Sequence, residues 1–126
     1  MLTTEEPDWT TLNLPVALEL LSGDEELLKE IAEMFVDECP KMMKELEEAI
    51  AGRDHRVIGR AAHSIKGVVA NFGAQAASES ALRLEVMGSQ GELAGVAEAW
   101  SLLEKEIKRL MPAITALARE ELACVS

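Results

Sequence analysis

Tyrosine is absent from these 126 residues, and the aromatic side chains are only Trp9, Phe35, Phe72 and Trp100. Runs of β-branched residues are scarce too, whereas leucine, alanine and glutamate abound, a mixture that favours helices. The two cysteines, Cys39 and Cys124, stand far apart without metal-ligand spacing. They read as free thiols of a reducing cytoplasm, not as a disulfide framework. No apolar run is long enough to span a bilayer and no signal segment is evident, so a soluble, cytoplasmic chain is expected, with no membrane partner. Positive charge is in short supply: 12 lysines and arginines face 23 carboxylates, for a net charge of −11. Such a balance argues against nucleic acid as a partner. Nor does any segment resemble a glycine-rich nucleotide loop, so the chain has no evident ATP site of its own.

What is present reads as one all-α domain, long enough to bury a core without staples. Asn13 and Pro15 open a short helix that stops at Ser22-Gly23. Asp24 caps a long helix with Glu25 and Glu26 in its first turn. Its apolar stripe is Leu27, Leu28, Ile31, Phe35, Met42, Leu46 and Ile50; Pro40 lies inside the run and is expected to kink the helix rather than end it, because the period resumes afterwards. Asp54 caps a third helix that closes near Asn71, with Gly73 as the turn residue. A fourth, alanine-rich helix is predicted from about Ala74 to Met87, with Leu82 and Leu84 as its large apolar residues and Gly88-Ser89-Gln90-Gly91 as the next turn. The last helix carries Leu93, Val96, Trp100, Leu103, Ile107, Leu110, Ile114 and Leu117 at helical spacing, with a bend expected at Pro112. Short connections between long amphipathic helices imply antiparallel neighbours. The expected fold is therefore an antiparallel up-down four-helix bundle with a short additional N-terminal helix. Residues 1–11 read as a flexible lead-in and residues 12–126 as the bundle domain.

The third helix carries the chemistry. Projected at about 100° per residue, Arg56, Gly59, Arg60, Lys66, Gly67 and Ala70 fall within about 60° of His63. Ile58, Ala61, Ile65, Val68 and Phe72 collect on the opposite side. His63 thus stands in the middle of an outward face, where a core histidine would not be placed. Gly59 and Gly67 lie one turn to either side, each costing the helix roughly 1 kcal/mol relative to alanine. Two such losses around one side chain suggest that something must approach it closely; close packing of a neighbouring helix is the other explanation. An ordinary imidazole titrates near about pH 6.5, so most of it is neutral at pH 7 and able to attack an activated phosphoryl group. Lys66, one turn on, offers positive charge to phosphoryl oxygens. Arg56 and Arg60 add to a local basic patch on an acidic chain, or are simply solvated charges. His55 and His63 are about 80° out of line on the helix, which excludes an i,i+4 metal pair, and no metal site is expected.

The run from Ala62 to Ala74, Ala-His-Ser-Ile-Lys-Gly-Val-Val-Ala-Asn-Phe-Gly-Ala, resembles the signature of the histidine-containing phosphotransfer (HPt) domain at His63, Ile65, Lys66, Gly67, Phe72 and Gly73. The likeness extends from about Leu12 to Leu117. Gly23-Asp24-Glu25-Glu26-Leu27-Leu28 resembles the opening of that family's first bundle helix. Glu85 stands where the family places a polar side chain beside the phosphorylated histidine. The chain departs from the pattern at Val68, Val69 and Ala70, where smaller residues are common.

The resemblance implies a phosphorelay intermediate of two-component signalling. His63 would accept a phosphoryl group from a receiver aspartate and pass it to another, with Lys66 stabilising phosphoryl charge and Gly67 giving clearance. Arg56, Gly59, Arg60, Ala70 and Glu85 would form the docking face for receiver domains, one of them borne by a hybrid sensor histidine kinase. No cofactor would be bound by this chain; Mg²⁺ would come with the receiver's acidic pocket. Such a protein is a phosphocarrier rather than an enzyme with its own nucleotide site. The alternative within the resemblance is the phosphoacceptor domain of a chemotaxis-type kinase, phosphorylated from ATP by a separate kinase domain. A helical adaptor with an incidental histidine is a third reading.

Overall fold

The structure, a computed structural model, describes residues 6–119, and these contain helices and turns but no strand. The 3-10 turn and the first three α-helices begin where a short polar side chain captures an amide that the helix leaves unpaired. Asp8 accepts from Thr10 N to open a 3-10 turn over Trp9–Thr11. Asn13 accepts from Val16 N at the start of α1 (Leu14–Leu20), with Pro15 in the first turn, where a missing N–H costs nothing. Asp24 caps α2 (Glu25–Ala51), which continues through Pro40. Asp54 caps α3 (His55–Ala70), accepting from Val57 N. The fourth and fifth helices, α4 (Gln75–Gln90) and α5 (Val96–Ala118), have no side-chain cap; they start after the left-handed turns at Gly73 and Gly95.

Among these helices α3 packs on both α2 and α4, and α5 packs on the same two. The four long helices thus close a ring around one core, with α1 laid on α2 and the 3-10 turn on α5. Leu28, Leu46, Ile58, Ile65, Leu84, Leu103, Leu110 and Ile114 are essentially sealed from solvent. Phe72, from the turn after α3, is equally buried and meets Phe35 of α2 edge-to-face at a centroid distance of 5.8 Å. Alanines fill the seam between α3 and α4, with Ala61, Ala62, Ala77 and Ala81 all buried, so these two helices can approach closely. Cys39 is buried on α2, and burial pushes its thiol up to about 11, which keeps it protonated and inert at neutral pH.

Several expectations need adjustment. The fourth helix runs past Met87 to Gln90, so Gly88, Ser89 and Gln90 are helical and only Gly91 turns the chain. The reason is a close crossing of α3 and α4 at Gly88, which explains glycine there without a turn. Leu82, one of the two large apolar residues of the fourth helix, is 43% exposed on α4, and Leu27 of the expected apolar stripe is 38% exposed on α2. Leu28 and Leu84, with Ala32 and Ala81, face the interior. The expected lead-in falls partly on residues 1–5, and Cys124 and the end of the expected domain fall on residues 120–126, both outside the described residues.

Candidate functional site: a histidine, a carboxylate and a lysine across two helices

His63 lies in the middle of α3, two turns from either end, where the helix backbone is fully hydrogen-bonded and rigid. Ile58, Ala61, Ala62, Ile65 and Val69 bury the opposite face and fix the rotation of the helix. That rotation leaves the imidazole outside, 66% exposed. Its Nδ1 lies 2.8 Å from Glu85 Oε2 on α4. The other oxygen of the same carboxylate, Oε1, is sealed from solvent and has the Lys66 ammonium 2.7 Å away, an ion pair by charge and distance. Glu85 therefore joins two side chains that stand one helical turn apart on α3.

The Lys66 ammonium, more than His63, holds the Glu85 carboxyl below the usual carboxylate range, against the opposing effect of partial burial. At neutral pH Glu85 is ionised and can only accept hydrogen bonds. The proton of a neutral His63 is thereby fixed on Nδ1, and the ring presents its lone pair at Nε2. A carboxyl with a lowered pKa stabilises the fold above its unfolded-state pKa. The contribution is lost as the pH falls through the lowered value, so the Glu85 pair persists across the neutral range.

The surroundings separate the remaining residues. A Cβ built on Gly67 meets nothing, so that side of His63 is open. Gly59 is different. A Cβ there would lie 3.3 Å from Ser89 N, 3.4 Å from Gly88 C and 3.5 Å from Glu85 O, all backbone of α4. The clearance expected at Gly59 is a helix contact, because α4 runs past this side of α3. Arg56, Arg60 and Ala70 are exposed, and neither arginine makes an ion pair among the described residues. Together with His55, Ser89 and Gly88 the two arginines line a cleft of about 440 Å³ beside His63 and Glu85. A larger hollow, of about 690 Å³, lies between the N-terminal segment and α5 and includes Asp8, Lys105 and Arg109 but no histidine.

Comparison with known proteins follows the same line. The family model described as "Hpt domain" matches residues 30–114, which include α3, α4 and the whole cluster. The chain belongs to the Hpt domain family. This Hpt domain is also similar to the crystal structure of histidine-containing phosphotransfer protein B from Pseudomonas aeruginosa PAO1. The TM-score is 0.79 at 22% identity, over 87% of this chain and 96% of that one. At that identity the likeness is one of fold. No curated protein sequence matches the chain.

Two features of this Hpt domain escape a reading of the sequence. The Lys66–Glu85 ion pair joins different helices and follows from no local spacing. Gly88 sits in a Gly-Ser-Gln-Gly run that has the composition of a turn; its position three residues after Glu85 is the only hint of a role in the cluster.

Proposed function

We propose that the chain is a phosphorelay intermediate: His63 takes a phosphoryl group from the aspartate of one response-regulator receiver domain and hands it to another. A hybrid sensor histidine kinase would carry the first of these. The observation that carries this reading is the 2.8 Å contact between His63 Nδ1 and Glu85 on an otherwise exposed imidazole. It leaves Nε2 as the nucleophile. In the forward step the Nε2 lone pair attacks phosphorus and the N–P bond forms. The P–O bond to the receiver aspartate breaks, and its carboxylate leaves with the bonding pair. The ring then carries a phosphoryl group on Nε2 and a proton on Nδ1, and the Glu85 carboxylate stabilises its positive charge. Reversal onto a second aspartate completes the relay.

Lys66 has two tasks in this scheme. Its ammonium offsets the negative charge of Glu85, which would otherwise repel an incoming phosphoryl group. Its other N–H groups remain for phosphoryl oxygens. Gly67 keeps the opposite flank of the imidazole clear, and Arg56, Arg60 and Ala70 belong to the docking face, with Gly59 at its edge. Leu82 and Val86, exposed on α4 beside Glu85, supply its apolar part. Glu85 itself acts on His63 rather than on the partner. A single carboxylate already committed to two partners is a poor magnesium site, so Mg²⁺ belongs to the receiver pocket. The protein is a cytoplasmic phosphocarrier without its own ATP site. The connections of three to five residues between its four long helices support an antiparallel up-down bundle beside the short α1. No helix among the described residues is long and apolar enough to cross a membrane.

The test is transfer from a receiver phosphorylated on its aspartate. The chain should acquire an acid-labile, alkali-stable label within the receiver's own dephosphorylation time. Label obtained only from ATP and a separate kinase domain, never from a receiver, would overturn the relay reading. In the same assay Lys66→Ala should slow transfer by roughly 10- to 100-fold, equivalent to about 1.4–2.7 kcal/mol of barrier. The fold should be kept at a cost of about 1–3 kcal/mol, because the sealed Oε1 of Glu85 loses its counter-ion. Unchanged transfer in this variant would remove Lys66 from the mechanism.

A further inference from the structure

The two glycines of the α3–α4 seam, Gly59 and Gly88, lie one helical turn from the functional side chains. Gly59 precedes His63 by four residues, and Gly88 follows Glu85 by three. At their crossing the two backbones touch. A Cβ on Gly88 would overlap Gly59 N and lie 2.6 Å from Gly59 Cα and 2.7 Å from His55 O. All three are backbone atoms, which cannot turn aside as a side chain can. The His55 ring reinforces the crossing, with Nδ1 3.1 Å from Gly88 O, so the first turn of α3 is tied to the last turn of α4. From the other side, Gly59 abuts the carbonyl of Glu85, the residue whose carboxylate meets His63.

We infer that Gly59 and Gly88 are positioning residues for phosphotransfer: their contact sets the α3–α4 separation at which Glu85 reaches both His63 Nδ1 and Lys66. This inference rests on His63 being the phosphoacceptor. A glutamate side chain at 2.8 Å from the imidazole and 2.7 Å from the ammonium has little slack. Any side chain at position 88 must drive the helices apart. The carboxylate then withdraws from Nδ1, and the ring is free to place its proton on Nε2, which removes the nucleophilic lone pair from the outward nitrogen. The crossing thus acts on the chemistry through the tautomer of His63.

Gly88→Ala and Gly59→Ala test this as a graded pair. The second is milder, because its Cβ would stand 3.3–3.5 Å from α4 backbone. Nitrogen-15 NMR of the unphosphorylated protein reads the tautomer directly and needs no partner. The wild type should show Nδ1–H at His63. Gly88→Ala should move His63 toward Nε2–H and slow transfer from a phosphorylated receiver about 100-fold, the effect of a misplacement of about 1 Å. Gly59→Ala should shift the tautomer in the same direction with a several-fold slower transfer. Gly52→Ala, at the end of α2, should change neither. If Gly88→Ala fails to fold, Gly59→Ala decides. A His63 that stays Nδ1–H in every folded variant overturns the inference, as does an equal loss in Gly52→Ala. Failure of the wild type to accept phosphoryl groups would refute the relay reading instead, while the tautomer shift would still stand or fall by NMR.

Discussion

His63→Gln should leave a folded protein that takes no phosphoryl label from a phosphorylated receiver. The amide nitrogen of glutamine has its lone pair delocalised into the carbonyl and is no nucleophile, so the loss should exceed about 10³-fold and reach the limit of detection. Stability should change by no more than about 0.5 kcal/mol, because an exposed side chain away from the core is replaced by another polar one. His55 is the only other histidine in the chain. It also lines the cleft, but its Nδ1 meets a backbone carbonyl, Gly88 O, rather than a carboxylate. It therefore lacks the anion that would stabilise a phosphorylated, positively charged ring. Intact-protein mass after labelling, followed by peptide mapping under alkaline conditions, checks both points. A label that survives in His63→Gln, or that maps to His55, would contradict the assignment.

The sequence makes the outward face of α3 legible because burial leaves a 3.6-residue period. Ile58, Ala61, Ile65 and Val69 face the core, and His63 must face away. Capping residues locate the helix starts equally well, since Asn13, Asp24 and Asp54 each accept from an amide three residues on. What one helix cannot report is the direction from which its neighbour comes. Gly59 and Gly67 lie at about 40° to either side of His63 and look alike on a helical projection. With α4 packed on the Gly59 side, one glycine becomes a backbone contact and the other stays open. Lys66 shares the Gly59 side, which is why its ammonium ends on Glu85. Gly88 was illegible for a related reason. A glycine required by close approach inside a helix has the same composition as a glycine that ends one, and only the partner backbone tells them apart.

Gly67→Leu should separate stability from function more sharply than any other change in this face. The position is helical, exposed, and without a neighbour within 4 Å of a built Cβ. Leucine removes the conformational cost of glycine, so the domain should be stabilised by roughly 0.5–1 kcal/mol. The same side chain projects beside the imidazole, on the flank that α4 leaves uncovered. A receiver must bring its phosphoaspartate into line with Nε2, and displacement by about 1 Å suffices to cost on the order of 100-fold in rate. Transfer should therefore fall by about that factor while the melting temperature holds or rises. Gly67→Ala, which adds one methyl group, should lie between the two in rate and show most of the stability gain. The NMR signature of His63 should remain Nδ1–H in both, since neither side chain reaches the α3–α4 seam. That contrast separates the two kinds of glycine around His63. Substitution at Gly88 should act on the unbound protein through Glu85, whereas substitution at Gly67 should act only when a partner arrives. A Gly67→Leu protein that melts earlier, or one that transfers at the wild-type rate, would show that this flank is not the approach to the histidine.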